Sequence, residues 1–239
     1  DTDALAVVPD GVDLATAAAL PMAGLTALRS LRASGAGPGS RVLVTGASGA
    51  VGRLAVQLAA RAGAYVIASV STPERTGRVP HGGTATRSAH AARVDSGRAA
   101  RHESAASRGG RVEVVVGVEK AGPVDVVIDV VGGPVLVAAW GLLKPGGNLQ
   151  SVGWAAGKAA VFPPDSTFAL GEARTLSSFG DVASPAADLA HLLSLVAAGE
   201  LDVEVGWRGP WERLGEAAAA QLDREITGKV VLDVTHRRA

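Results

Sequence analysis

Apolar and polar positions along this 239-residue chain alternate between two periods, one typical of strands and one typical of helices. Runs rich in Val, Ile and Leu predict strands over Arg41–Thr45, Tyr65–Val70, Val124–Val131 and Lys229–Val234. Between the first two runs, apolar residues recur three and four positions apart. They predict one buried helical face, formed by Val51, Leu54, Ala55, Leu58, Ala59 and Ala62. Strands that alternate with helices in this way predict an α/β fold with a parallel sheet.

The second half of the chain continues this alternation. The stretch Leu142–Val152 predicts a helix end, a glycine turn and a strand. Ser184 and Pro185 predict the start of a helix with proline at its first position, and Gly199 predicts its end. The buried face predicted for this helix consists of Leu189, Leu192, Leu193 and Val196. A further apolar helical face is predicted from Trp211, Leu214, Ala218 and Leu222.

The segment Thr76–Arg111 departs from this pattern. It contains seven Arg, three His and two acidic residues, and it has no Leu, Ile, Phe or Met. Because it has neither period, we expect a poorly packed or disordered insertion. Its composition fits a natural insertion and also a stretch of GC-rich DNA read out of frame. A basic loop that binds nucleic acid is the weaker interpretation, since no aromatic residues are interleaved to stack on bases.

Three glycines at a step of three lie between the first predicted strand and its helix, in the sequence VTGASGAVG from Val44 to Gly52. A strand, a glycine-rich turn and a helix N-terminus form an anion site, because the first N–H groups of the helix have no intrahelical acceptor. Gly46, Gly49 and Gly52 therefore predict a dinucleotide site of the Rossmann type. The alternative is a tight turn without a ligand.

The end of the second predicted strand distinguishes between two cofactors. An NAD site usually has Asp or Glu there to bind the ribose 2′-hydroxyl, whereas this strand ends with Ala68, Ser69, Val70 and Ser71. Arg75 follows shortly after. Hydroxyls and a guanidinium suit a 2′-phosphate, so the sequence favours NADP(H), with a solvated surface charge as the alternative for Arg75.

Composition excludes several other classes of protein. The formal net charge is zero, which disfavours nucleic acid as a partner, and the absence of cysteine excludes thiolate metal sites and cysteine nucleophiles. No apolar run is long enough to predict a membrane span, and we expect a cytoplasmic protein. The abundance of Ala, Gly, Val and Arg is typical of a GC-rich bacterial gene.

Three other enzyme signatures fail on particular residues. Short-chain dehydrogenases need a Tyr-x-x-x-Lys pair, but Tyr65 is the single tyrosine and Ser69 stands four positions after it. Ser48 lies in GASG rather than in the GxSxG of a hydrolase. Gly52 is followed by Arg53 rather than by the lysine of a P-loop.

The chain resembles the medium-chain dehydrogenase/reductase superfamily, on its zinc-independent quinone oxidoreductase branch. The resemblance rests on the glycine run and on four further stretches, which are VPDGVDLATAAALPMAGLTAL, VDVVIDVVGG, LLKPGGNLQSVG and ITGKVVLDV. It implies a doubly wound Rossmann domain over residues 26–200, with the anomalous insertion at 76–111. It also implies that residues 1–25 and 201–239 are remnants of a second, GroES-like substrate domain, of which roughly a hundred residues, about one domain, are expected to be missing.

The same resemblance implies a function and a set of site residues. It implies NADPH-dependent transfer of hydride to a quinone or an enone-like carbonyl compound; a non-catalytic NADP(H)-binding module is the alternative. Met22 stands where zinc-using relatives have a cysteine ligand, so no metal is expected. The partner implied is a small-molecule substrate, with a homodimer left open. No catalytic residue is assigned, and Asp129 is interpreted as a structural carboxylate.

Fourteen residues are predicted to contact the cofactor. Those from Gly46 to Gly52 are assigned to the pyrophosphate, and Ser71 and Arg75 to the 2′-phosphate. By resemblance, Thr26, Val131, Gly132 and Gly153 are assigned to the nicotinamide side. They are Thr26, Thr45, Gly46, Ser48, Gly49, Ala50, Val51, Gly52, Ser69, Ser71, Arg75, Val131, Gly132 and Gly153.

Overall fold

A six-stranded parallel sheet lies at the centre of the chain in the computed structural model, which describes residues 2–80, 110–168 and 170–234. Its strands are β1 (Arg41–Val44), β2 (Tyr65–Val70), β3 (Val112–Val116), β4 (Val124–Asp129), β5 (Leu143–Ser151) and β6 (Thr175–Ser178). They are arranged in the order β3-β2-β1-β4-β5-β6. This order is that of a doubly wound Rossmann sheet, whose direction of winding reverses between β1 and β4. The predicted fold class is therefore confirmed.

Helices cover both faces of the sheet. The helices that do so are α2 (Pro21–Ser34), α3 (Ala50–Arg61), α4 (Gly133–Gly141) and α5 (Ala186–Ala197). Two further helices, α1 (Leu14–Ala19) and α6 (Leu214–Leu222), contact a smaller sheet. Successive strand residues face opposite sides, so Val42 and Val44 of β1 pack with α2, α3 and α5, whereas Leu43 packs with α4. The two apolar clusters account for the continuous apolar character of the central strands.

A separate two-stranded parallel sheet is formed by β7 (Val205–Pro210) and β8 (Lys229–Asp233). Ala15 and Ala19 of α1 pack against Val231 of β8 in a third, small apolar cluster. The first helix of the chain and its last strand therefore belong to one packed unit beside the main sheet.

Several predicted elements differ from the observed ones. Pro185 is the N-cap of α5 rather than its first helical residue, and α6 buries Ala217 where the pattern predicted a face that included Leu214 and Leu222. The side chains of Leu214 and Leu222 are exposed, because no described element covers that side of α6. The apolar run Val112–Val116 forms β3, a strand that the periodicity does not assign.

Both described ends of the segment Thr76–Arg111 are packed, contrary to the expectation for the whole segment. Val79 is buried in the larger apolar cluster, and the carbonyl of Arg111 accepts a hydrogen bond from the N–H of Val66. A 3₁₀ helix over Pro73–Arg78 precedes Val79. The expectation for residues 81–109 lies outside the described residues.

A close packing contact joins α3 to the loop that follows β1. A Cβ built at Gly52 would lie 2.3 Å from the carbonyl oxygen of Gly46 and 2.8 Å from the Cα of Ala47. At Gly49 the nearest atom is the same carbonyl oxygen, but at 3.4 Å. Of these two glycines, Gly52 is therefore the one that close packing requires.

We predict that Gly52→Ala destabilises the fold although alanine is the better helix former. Displacing the Gly46 carbonyl should cost about 1–3 kcal/mol or more, which exceeds the gain in helix propensity of about 1 kcal/mol. Gly49→Ala is the matched control and should cost less than about 1 kcal/mol. Urea denaturation of both variants measures the difference; equal stabilities would contradict the packing described.

Candidate functional site

The loop between β1 and α3 places the N-terminus of a helix at the point where the sheet reverses its winding. Gly46 has a φ of +60°, a conformation that favours glycine, and a Cβ there would lie 2.7 Å from Cγ2 of Val130. The N–H of Ala47 donates to the carbonyl of Ser69 at 3.0 Å, which ties the loop to β2. Gly49 is the N-cap of α3 and has no side chain to occupy the N–H groups of its first turn. These donors are therefore available to an anion.

A cavity of about 690 Å³ opens over this helix N-terminus. That volume lies within the range of pockets that hold small molecules and cofactors, roughly 300–1,000 Å³. Its walls come from the β1–α3 loop, the ends of β2 and β4, and the C-terminal segment. The residues of the loop and of the strand ends that line it include Thr45, Gly46, Ser48, Gly49, Ala50, Ser69, Val70, Ser71, Val130 and Val131.

The charged side chains around the cavity all have one sign. Arg75, Arg78, Arg224 and Lys229 line it, and the described lining contains no Asp or Glu. Four cations beside a helix N-terminus form a site that favours a ligand with several negative charges.

A buried hydrogen-bond network fixes the switch point beneath the cavity. The hydroxyl of Thr45 donates to Oδ1 of Asp129 at 2.6 Å, and the N–H of Gly132 donates to Oδ2 at 2.8 Å. The N–H of Val130 donates to Oγ1 of Thr45 at 3.1 Å. Asp129 has no solvent exposure and joins the end of β1 to that of β4. The interpretation of Asp129 as a structural carboxylate is consistent with these contacts.

Burial raises the pKa of Asp129 above its ordinary value, although the hydrogen bonds from Thr45 and Gly132 oppose the rise. Folding therefore favours the protonated carboxyl. Its contribution to stability is complete below the ordinary pKa of an aspartic acid and is lost as the pH rises through the raised value in the folded state.

Nine of the fourteen predicted contact residues line the cavity together. They are Thr45, Gly46, Ser48, Gly49, Ala50, Ser69, Ser71, Arg75 and Val131. Val51 and Gly52 lie in the first turn of α3, next to the lining. The other three residues do not line it. Thr26 is buried in α2, where its hydroxyl donates to the carbonyl of Met22 at 2.7 Å.

Gly132 lies in the backbone that follows β4, and Gly153 in the backbone that follows β5. A Cβ at Gly132 would lie 2.7 Å from the ring of Trp154, and one at Gly153 would lie 2.7 Å from the carbonyl oxygen of Val130. In this structure both glycines permit a close approach of chain segments beside the cavity.

Among the lining residues that the sequence did not predict are four with charged or hydroxyl side chains, namely Arg78, Arg224, Thr227 and Lys229. Arg78 lies in the segment Thr76–Arg111, for which neither a strand nor a helix was predicted. The other three lie far along the chain, and the folding of the C-terminal segment over the sheet brings them to the site. The stretch ITGKVVLDV was the available signal, because it carries Thr227 and Lys229.

No cluster of three or more His, Asp or Glu side chains that could hold a metal occurs within residues 2–80, 110–168 and 170–234. Met22, which the resemblance matches to a cysteine ligand of zinc-using relatives, is 64% exposed on α2. None of the helices in the described part of the chain combines the length and apolar character that a membrane span requires.

We predict that Asp129→Ala strongly destabilises the chain. The buried hydroxyl of Thr45 and the N–H of Gly132 would each lose an acceptor, at about 1–3 kcal/mol per group. Lys144→Ala is the control, because it removes only a half-exposed ion pair with Asp125 of the same strand as Asp129 and leaves Asp125 to accept the N–H of Arg41; it should cost about 1 kcal/mol or less. Urea denaturation provides the measurement.

The pH dependence of Asp129→Asn gives a second readout of the same residue. Because the wild-type contribution falls as the pH rises, the stability deficit of Asp129→Asn should shrink between acid and neutral pH. A deficit that grows with pH would contradict the raised pKa.

The comparisons with known proteins agree with this geometry. Residues 102–232, more than half of the chain, match the family model described as zinc-binding dehydrogenase. Quinone oxidoreductase-like protein 2 of Bos taurus is 29% identical over 236 residues, which cover 95% of this chain and 62% of that protein. A shorter match, 51% identical over 67 residues, is to the chloroplast envelope quinone oxidoreductase homolog of Arabidopsis thaliana and covers 20% of it. The chain thus spans less than two thirds of the length of these two relatives.

Solved structures resemble the chain over nearly its whole length. The quinone oxidoreductase of Thermus thermophilus has a TM-score of 0.69 and 29% identity, over 95% of this chain and 69% of that one. A mycobacterial quinone oxidoreductase has a TM-score of 0.73 and 25% identity, over 97% of this chain and 68% of that one. With the family model and the Rossmann strand order, these likenesses establish that the chain belongs to the zinc-binding dehydrogenase family, as a quinone oxidoreductase-like member of the medium-chain dehydrogenase/reductase superfamily.

Proposed function

We propose that this chain binds NADP(H) and belongs to an enzyme that reduces a quinone or an enone-like carbonyl compound without zinc. The observation that carries the proposal is the cavity at the reversal of the sheet, where a glycine-capped helix N-terminus faces a lining of four cations. A dinucleotide with a pyrophosphate and a 2′-phosphate matches both features. When bound, NADPH supplies hydride from C4 of its nicotinamide ring.

The residues of the site fit such a cofactor. The absence of a side chain at Gly49 and the N–H groups of the first turn of α3 suit the pyrophosphate. Ser69, Ser71 and Arg75 lie at the end of β2, where hydroxyls and a guanidinium suit the 2′-phosphate. The Thermus thermophilus relative was also solved in complex with NADPH, which supports the choice of cofactor.

The chemistry needs little from acidic or basic side chains. Asp129 lies beneath the cavity with both carboxylate oxygens engaged, so we assign it no proton transfer. A reduced quinone can take its proton from water. With Met22 in place of a cysteine and no described cluster of metal ligands, we propose a reaction without zinc.

The domain division remains part of this proposal. Packing of α1 against the β7–β8 sheet supports assigning residues 1–25 and 201–239 to one unit, beside a Rossmann domain over residues 26–200. The second candidate is a non-catalytic NADP(H)-binding module. NADPH binding without NADPH oxidation across a panel of quinones and enones would favour that candidate.

We predict that the chain prefers NADPH to NADH and that Arg75 is one reason. Arg75→Ala removes a charge-assisted contact worth about 1.5–3 kcal/mol, so it should weaken NADPH binding about tenfold or more. Binding of NADH should barely change, because NADH has no 2′-phosphate. Arg61→Ala, at the far end of α3, is the control. Titration of NADPH and NADH by fluorescence measures both affinities, and equal affinities in the parent chain would contradict the preference.

We predict that Gly49→Val abolishes dinucleotide binding and preserves the fold. The new side chain meets no protein atom closer than 3.4 Å at its Cβ, but it stands where the pyrophosphate must approach the backbone. Circular dichroism checks the fold and NADPH titration checks binding. A folded variant that binds NADPH normally would show that the pyrophosphate lies elsewhere.

A further inference from the structure

Arg78 lies three residues after Arg75 on the same 3₁₀ helix, and both side chains line the cavity. Side chains three positions apart on a 3₁₀ helix are nearly eclipsed, so the two guanidinium groups belong to the same side of the helix. The end of β2 therefore presents two arginines to the cavity, where the sequence analysis recognised one.

The backbone of Arg78 is held firmly from the side of α3. Its carbonyl oxygen accepts a hydrogen bond from Nη1 of Arg53. The Arg53 guanidinium is in turn paired with Glu204 at 3.0 Å and with Asp202 at 3.3 Å. This network fixes the main chain of Arg78 at the edge of the cavity and leaves its own guanidinium exposed.

A neutral partner holds that guanidinium. Nη1 of Arg78 donates to the hydroxyl of Thr227 at 2.7 Å. Thr227 belongs to the C-terminal segment, which also lines the cavity. Arg78 has no ion pair with any carboxylate in the described part of the chain. The bond to Thr227 joins one charge to a neutral hydroxyl, whereas a phosphate carries the opposite charge and can accept two N–H groups of the guanidinium at once. A phosphate in reach of Arg78, which pairs two charges, would therefore displace Thr227.

The charge of the ligand argues for two arginines. A phosphate monoester carries about −1.5 to −2 charges at neutral pH, so Arg75 alone leaves part of that charge uncompensated. The pyrophosphate is proposed to lie at the glycine loop, which leaves the guanidinium of Arg78 to the 2′-phosphate.

We propose that Arg78 is a second specificity-determining residue for the 2′-phosphate of NADP(H), and that it leaves Thr227 to bind the phosphate. The proposal rests on the proposed function. Thr227 then competes with the cofactor for Arg78, and binding of NADP(H) releases one contact between the end of β2 and the C-terminal segment. NADH leaves the contact intact.

Three variants test this competition, with affinities for NADPH and NADH measured by fluorescence titration and folding checked by circular dichroism. Arg78→Gln should weaken NADPH binding about tenfold and change NADH binding less than about twofold. Thr227→Val, which keeps the side-chain shape, should tighten NADPH binding about two- to threefold by removing the competitor. In the double variant the effect of Thr227→Val should vanish, because Arg78 is no longer there to be released.

Loss of NADPH affinity in Thr227→Val equal to that in Arg78→Gln would overturn the proposal, since the pair would then be a structural contact. Equal weakening of NADPH and NADH by Arg78→Gln would overturn it as well. A selective effect of Arg75→Ala with none from Arg78→Gln would leave the proposed function standing and refute this inference alone. Failure of the wild-type chain to bind either dinucleotide would instead refute the proposed function.

Discussion

The contact of Gly52 with the carbonyl of Gly46 is the constraint on which the site depends. Because Gly52 has no side chain, α3 can pack directly on the loop after β1. A Cβ at Gly52 would lie 2.3 Å from the carbonyl oxygen of Gly46. The close approach brings the N-terminus of α3 to the edge of the sheet between β1 and β4. The N–H groups of its first turn then face the cavity instead of solvent beyond the sheet. Helix packing and anion binding are in this way consequences of the same glycine spacing.

A second, buried interaction gives that edge its shape. The Thr45 hydroxyl and the Gly132 N–H share the carboxylate of Asp129, so the ends of β1 and β4 separate at a fixed place. A doubly wound sheet has its crevice where neighbouring connections leave in opposite directions. The cations of the C-terminal segment then cover the crevice from above, among them Arg224, whose guanidinium donates to the carbonyl of Ala155 at 3.1 Å.

The sequence predicted the elements whose signal is local. β2 was predicted with its observed bounds, because both its faces are buried and its residues are almost uniformly apolar. The polar edge strand β6 (Thr175–Ser178) escaped prediction, because an exposed strand of Thr, Leu and Ser has no apolar run. Helix α2 also escaped it, because its buried positions include Thr26 and Ser30, which weaken the apolar period. The glycine loop was predicted from its spacing and Arg75 from its place after β2, whereas Arg224 and Lys229 reach the cavity through tertiary packing that no local pattern records.

A crystal structure of this chain with NADP⁺ bound tests the central claim most directly, namely that the cavity over α3 is a dinucleotide site. If the cavity is the dinucleotide site, this structure predicts that the pyrophosphate lies against the N–H groups of residues 48–51. It also predicts that the 2′-phosphate lies within hydrogen-bond distance of Arg75, beside Ser69 and Ser71. A dinucleotide bound at another surface, or one whose 2′-phosphate points away from Arg75 into solvent, would contradict it.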